Sequence, residues 1–139
     1  MNKNTNPKDA VGTKKVPLST VPMPVIMEVG LAMLEGSRKY GRHNYRIVGV
    51  RASVYYDAIQ RHINAWLEGE DIDRDSGLSH ITKAIACLVV LRDSMMNENW
   101  VDDRPPKVKN QNWVQEMNER AGEIIEKYPN ALPPFTEKK

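Results

Sequence analysis

The segment Glu35-Gly36-Ser37-Arg38-Lys39-Tyr40-Gly41-Arg42-His43-Asn44-Tyr45 gathers an acid, several bases and hydrogen-bonding side chains, a mixture suited to a polyphosphate. Glu28 and Glu35 are seven residues apart and Lys39 is four beyond Glu35, so on a helix all three project to nearly the same side. Taken alone, that face reads most simply as a solvated one carrying an i,i+4 ion pair. Further on, Asp57 and Arg61 lie one helical turn apart, His62 falls nearer an apolar stripe, and Trp66 follows a turn later. By type these are a surface ion pair, a semi-buried histidine and a core tryptophan. The same stretch runs into Glu70-Asp71-Ile72-Asp73, whose carboxylates repel one another unless solvent or a cation intervenes. Hard ions such as Mg²⁺ take one or two such carboxylates, with water and substrate phosphates completing the shell. An acidic turn is more often solvated than metal-bound. His80 opens the next helix with Lys83 one turn on, where unpaired N–H groups and the helix dipole favour an anion. The alternative is a histidine that only hydrogen-bonds the preceding turn. The Walker, Rossmann, CxxC and HExxH patterns are absent, which leaves a helical, carboxylate-rich site.

These residues need helices to position them. Pro7, Pro17, Pro22 and Pro24 predict an extended arm over residues 1–24. Beyond it Val25, Val29, Ala32, Met33 and Gly36 recur at helical spacing, predicting a first helix that runs to about Tyr40 and ends at Gly41. Residues 42–51 show no stripe and are expected to be a loop. Ser53 is the expected cap of a second helix with Tyr55, Ile59, Ile63 and Trp66 inward, stopping near Gly69. A third helix is expected from about Leu78 to Ser94; residues 84–91 are apolar all round, so it should be central. Asp102 to Pro106 breaks the chain, 107–111 is a polar linker, and a last helix near Asn112 to Lys127 aligns Trp113, Met117, Ala121, Ile124 and Tyr128. Strand alternation and internal repeats are not evident. The expected organisation is therefore an arm (1–24), an all-α core (25–106), and a linker, C-terminal helix and tail (107–139).

The chain has 139 residues, 40% hydrophobic and 27% charged, which fits one soluble globular domain with tails. A formal charge of +2 is too balanced for the broad basic face of a nucleic-acid binder. The single cysteine, Cys87, lies in the apolar run 85–91 and reads as a small buried hydrophobe. With neither an apolar leader nor a run of ~20 apolar residues, a membrane role is not expected and a cytoplasmic location is.

Taken in order, Asn6-Pro7-Lys8-Asp9, Lys39-Tyr40-Gly41 with Asn44, Asp57-Ala58 then Arg61-His62, Trp66 with Gly69-Glu70-Asp71, Ser76-Gly77 before His80, and Asp103-Arg104-Pro105-Pro106 resemble the phage dATP/dGTP diphosphohydrolases. The resemblance covers about residues 6 to 106. That family is similar in outline to the MazG-like all-α nucleotide pyrophosphatases, so it implies a MazG-like bundle of three to four helices with an extended N-terminal arm. It also implies metal-dependent cleavage of a purine deoxynucleoside triphosphate, dGTP and possibly dATP, to the monophosphate and pyrophosphate. The cofactor implied is Mg²⁺, with Mn²⁺ able to substitute. A typical MazG pattern has EExxE on the first helix of the hairpin and ExxD on the second, whereas here the first helix offers Asp57 and Arg61 and the second His80 and Lys83. Under the resemblance, Glu35, Asp57, Glu70 and Asp71 are the expected metal ligands. Glu35, Asp57 and His80 are the expected catalytic residues. Lys39, Tyr40, Asn44, Arg61, His62 and Lys83 are expected to bind substrate, with Tyr45 or Trp66 as further stacking faces. Glu68, Asp73 and Asp75 are expected to matter less.

Members of this family occur beside enzymes that replace adenine with 2-aminoadenine in phage DNA, which would place the chain in host cytoplasm, supplying dGMP. Because a narrow bundle gives the apolar third helix little cover, a homo-oligomer, dimer or tetramer, is expected. Two rivals compete with the enzyme: a non-catalytic helical adaptor, and a small nucleic-acid-binding bundle using Arg38, Lys39, Arg42, His43 and Arg46. The balanced charge and the acidic turn count against stable nucleic-acid binding.

Overall fold

The computed structural model describes residues 6–137, so the first five residues of the expected arm and the last two of the tail lie outside the described residues. Among the described residues the architecture is all-α apart from one minimal parallel sheet, and the chain divides into a unit ending at Arg104 and a second beginning at Pro105.

The arm contains a short helix, α1 (Pro7–Gly12), and a 3₁₀ turn at Leu18–Thr20, where extended backbone was expected. Pro7 does not oppose α1, because it occupies the first turn, where a backbone N–H has no helical partner to lose. Asn6 caps the helix by accepting from the Lys8 N–H at 2.9 Å. The same logic lets α2 (Met23–Tyr40) begin before Pro24 rather than after it. Gly41, at φ 96, ends α2 as expected.

The expected loop over 42–51 contains α3 (Asn44–Val48) and β1 (Val50–Arg51), which pairs in parallel with β2 (Trp100–Val101). Neither element is encoded locally. Asn99 Nδ2 donates to the carbonyls of Tyr45 and Arg46 at 3.2 and 3.0 Å, and Arg46 makes a bidentate pair with Asp93 at 2.6 and 2.8 Å. Distant partners thus satisfy α3's terminal carbonyls and hold its one basic side chain.

Helix α4 (Ala52–Leu67) starts one residue before its expected cap. Ser53 lies inside the first turn and donates its N–H, at 2.8 Å, and its hydroxyl to the Asp103 carboxylate. The cap is therefore tertiary, an anion placed where the helix dipole favours one. Helix α5 (His80–Met96) is capped by Ser79, whose Oγ accepts from Ile81 N at 3.1 Å. As expected it is central, packing against both α4 and α2. Small residues let it: Ala84 and Ala86 are buried, and Ala86 meets Val29 and Ala32 of α2, with Met33, Leu78 and Ile85 around them. Trp66, read as core, is 43% exposed; it sits in the last turn of α4, where the chain leaves the bundle at Gly69.

In the second unit, α6 (Trp113–Lys127) is a helix whose apolar side chains Met117 and Ile124 stand exposed. No described helix is long and apolar enough to cross a membrane.

Candidate metal and nucleotide site

The turn between α4 and α5 is built around Asp73. Its carboxylate accepts from Ser76 Oγ at 2.7 Å, Ser76 N at 3.2 Å and Asp75 N at 3.4 Å. Its backbone N–H donates to the Leu78 carbonyl at 2.8 Å, and the His80 N–H donates to the Asp71 carbonyl at 2.9 Å. Gly69 and Gly77, at φ 104 and 74, supply the left-handed bends that let so short a segment return on itself. This folding brings Asp73 against the first residue of α5 and against His62 from α4. The Nδ1 atoms of His62 and His80 face each other at 2.8 Å, and one donor atom from each of His62, Asp73 and His80 lies within 4.8 Å of the others. His80 is only 5% exposed, and its Nε2 meets Glu70 Oε1 at 2.9 Å.

The electrostatics agree with a confined site. Burial pushes the His62 imidazole below its ordinary range; Asp73 opposes that, while His80, Lys83 and Arg61 add to it. For Asp73, burial pushes the carboxyl up, but hydrogen bonds from Ser76 and Asp75 outweigh it and hold the group below its ordinary value.

Of the expected ligands, Glu35, Asp57, Glu70 and Asp71 do not form such a cluster among the described residues. Glu35 Oε1 accepts from Lys83 Nζ, and its Oε2 lies 3.5 Å from Lys39, which also bonds Asp75 at 3.0 Å. The Asp75 hydrogen bond dominates in raising the Lys39 ammonium above its usual range; burial opposes it and Glu35 assists. Glu70 is committed to His80 and lies 3.7 Å from Arg74. Asp71 offers the turn its backbone carbonyl, and its side chain is exposed. Asp57 and Arg61 are both exposed on α4, without an ion pair between them among the described residues.

Three expected substrate residues do converge. Tyr40, Asn44 and Lys83 line one pocket of about 390 Å³, with Tyr45 from the same segment and with Tyr55, Cys87 and Val90 from the helices behind. Lys39 and Glu35 line a second, more open concavity with Ser76 and Leu78. Tyr55 and Cys87 are each pushed upward chiefly by burial, so the pocket presents a neutral phenol and a neutral thiol. Sequence reasoning missed Asp73 and Tyr55. The spacing Asp73-x-x-Ser76 was the available local signal for a carboxylate held by its own turn. Tyr55 carried no signal beyond its place in an apolar stripe.

Residues 5–104 match the family model described as dATP/dGTP diphosphohydrolase, N-terminal. The chain belongs to this family. All the residues of the cluster and the pocket lie inside the match, and α6 lies outside it. A curated relative, a dATP/dGTP diphosphohydrolase of Salmonella phage PMBT28, is 31% identical over 90 residues, covering 65% of this chain and 30% of the relative. The chain thus spans under a third of the length of that relative. No solved structure matches.

The cluster sets what a cation would meet here. Two imidazoles and one carboxylate form a donor set of the kind that suits borderline divalent transition metals, whereas Mg²⁺ prefers an all-oxygen shell. The residues that converge do not fit a protein-held Mg²⁺.

Proposed function

We propose that this chain hydrolyses a purine deoxynucleoside triphosphate, dGTP and dATP in particular, to the monophosphate and pyrophosphate with a divalent cation. The observation that carries this reading is Lys83: it lines the tyrosine-rich pocket and stands one turn of α5 beyond His80 of the His62/Asp73/His80 cluster. One helix therefore presents a cation-binding group, a phosphate-neutralising ammonium and a pocket wall in sequence. The family match and the name of the phage relative supply the substrate class.

In this reading the base enters the pocket against Tyr40, Tyr45 and Tyr55, and Asn44 contributes donors and an acceptor for its edge or the sugar. Lys83 neutralises charge that develops as pyrophosphate leaves, with Lys39 beside it through the shared Glu35; charge placed where charge develops is the main lever on such a barrier. A divalent cation, when bound, supplies Lewis acidity toward phosphate oxygens and an acidified water. Mg²⁺ belongs here with the substrate, as the counter-ion of the triphosphate, for which Glu35 is the candidate additional oxygen ligand, and Mn²⁺ replaces it. The dGMP formed would serve the replacement of adenine by 2-aminoadenine in phage DNA, in the host cytoplasm, while removal of dATP would withdraw the competing base. This last step rests on the resemblance of the motifs alone.

The active species in this reading is a homo-oligomer. Ile26, Met27, Leu31 and Leu34 of α2 are 43% to 69% exposed, an apolar face that a second copy would cover. Light scattering should report a dimer or tetramer; a stable monomer at micromolar concentration rejects it.

Pyrophosphate release measured over the common deoxynucleotides, with Mg²⁺ or Mn²⁺ and then with chelator, tests the function. Turnover of dGTP and dATP that chelator abolishes is expected. Equal turnover of dCTP, dTTP and dGTP refutes purine selectivity, and no metal-dependent turnover at all returns the chain to a helical adaptor.

A further inference from the structure

We propose that His62, Asp73 and His80 form a binding site for a divalent d-block cation of the Mn²⁺ to Zn²⁺ series, oriented from outside by Glu70. The inference concerns these side chains and does not rest on the nucleotide reading.

Two like nitrogens facing each other at 2.8 Å cannot both donate or both accept. Either one proton is shared between the rings, or a cation takes its place and meets both lone pairs. The surroundings favour the cation. A neutral His80 that donates from Nε2 to Glu70 has its remaining lone pair on Nδ1, the atom that faces His62. A carboxylate behind an imidazole is the usual arrangement that fixes the tautomer of a metal-bound histidine and raises its basicity. Asp73 completes the set with an anionic oxygen already held by Ser76 Oγ at 2.7 Å and Ser76 N at 3.2 Å, so its ordering cost is met before a cation arrives. Nitrogens bound tetrahedrally at ~2.0–2.1 Å stand roughly 3.3–3.4 Å apart, so a slight rotation of the half-buried His62 ring suffices. Three protein ligands leave at least one position for water or a substrate oxygen, as in catalytic rather than structural sites.

The full chain, stripped with chelator and dialysed, is titrated with Co²⁺ followed by its visible d–d absorption, and with Zn²⁺ followed by calorimetry. The expected result is one ion per chain, with d–d bands of nitrogen and oxygen ligation, and no displacement of Zn²⁺ by millimolar Mg²⁺. His62→Gln and Asp73→Asn should each weaken binding by about 10-fold or more, and Glu70→Gln by about 10–100-fold, the usual effect of losing an outer carboxylate. His43→Gln, the remaining histidine, should leave affinity unchanged. Buried His80 is left intact so that the variants fold, with circular dichroism as the check, and the wild-type Co²⁺ spectrum and Mg²⁺ competition need no variant. Absence of a d–d band in the wild type, wild-type affinity in both His62→Gln and Asp73→Asn, or stoichiometric displacement by Mg²⁺ overturns the site. If the cation binds as stated while deoxynucleotides are not turned over, the site stands and the nucleotide reading falls.

Discussion

Glu35 is the residue on which the sequence reading and the structure place different duties, and a double-mutant cycle separates them. In the free protein its carboxylate accepts from Lys83, with side-chain exposures of 20% and 18%. Exposed ion pairs couple by about 0.2–1 kcal/mol, whereas removing one partner of a fully buried pair costs about 3–5 kcal/mol. This pair lies between those limits, and Lys39 at 3.5 Å offers Glu35 a second, weaker partner. Glu35→Gln and Lys83→Met should therefore each cost about 1–3 kcal/mol of stability, and the double variant should cost about 1–2 kcal/mol less than their sum. Urea unfolding followed by circular dichroism, in chelator so that no cation occupies the site, measures all four corners. Glu28 supplies the control: it lies two helical turns before Glu35 but accepts from the neutral Thr82 hydroxyl, so Glu28→Gln should not couple to Lys83→Met. A Glu35/Lys83 coupling below about 0.5 kcal/mol, the ordinary error of additivity, would refute the pair as the anchor of Lys83. If the anchor holds and the nucleotide reading is right, Lys83→Met should also lower turnover by on the order of 10²–10³, as for loss of one preorganised electrostatic contact.

Gly49 has φ 74 and ψ −169, and a Cβ there would stand 2.6 Å from the Asn99 carbonyl oxygen. Gly49→Ala should cost about 2–4 kcal/mol in urea unfolding, while Gly30→Ala, in helix α2 with nothing within 4 Å, should gain up to about 1 kcal/mol. Hydrogen bonds from the Ser53 hydroxyl and N–H hold the Asp103 carboxyl below its ordinary value of 3.8, so its contribution is complete above that value and is lost as pH falls through the lower folded value. Asp103→Asn should accordingly flatten the acid limb of the stability curve as pH falls below about 3.8, and an unchanged limb would refute the tertiary cap. Burial raises the Cys87 thiol above its ordinary range, with Lys83 and Arg61 only partly offsetting it, so native-state alkylation at neutral pH should be slower than in the unfolded chain. dGTP should slow it further, since Cys87 lines the pocket; alkylation at the rate of the unfolded chain would place the thiol in solvent.

What was legible in the sequence was what the chain encodes over short range. The apolar spacing of 25–40, 55–66 and 78–94 marks α2, α4 and α5 to within a few residues, because each helix satisfies its own backbone and shows its buried face in its period. Elements held by distant partners were not legible: α3 depends on Asn99 and Asp93, and the cap of α4 on Asp103. The site divides the same way. Tyr40, Asn44 and Lys83 were readable as a phosphate-and-base set and share a pocket. By type and neighbours Asp73 is a solvated acid of lesser weight, since its relation to His62 exists only after the α4–α5 hairpin closes. His62 and His80 stand out in the sequence for other duties, and nothing in their separation of eighteen residues shows that their Nδ1 atoms meet.

The register of α5 connects these features. His80, Lys83, Cys87 and Val90 follow one another at spacings of three, four and three, so they share one stripe of the helix, and Asp93 continues it by three more. Along that stripe His80 belongs to the nitrogen and oxygen cluster, Lys83 pairs with Glu35, Cys87 and Val90 wall the pocket, and Asp93 holds Arg46 of α3. From His80 to Val90 the helix rises roughly 15 Å. A one-residue slip of this register would rotate every one of these groups by about 100° and part them together. The small buried side chains of α5, Ala86 against α2, Ala84 turned away from it, and Ser94 near the far end, permit the close packing that fixes the register. Ser79 at the N-terminus and the Asp93–Arg46 pair near the far end restrain it from both directions. The His62/Asp73/His80 cluster and the pocket are thus consequences of one helix position, which is why residues so far apart in the chain lie along one side of α5.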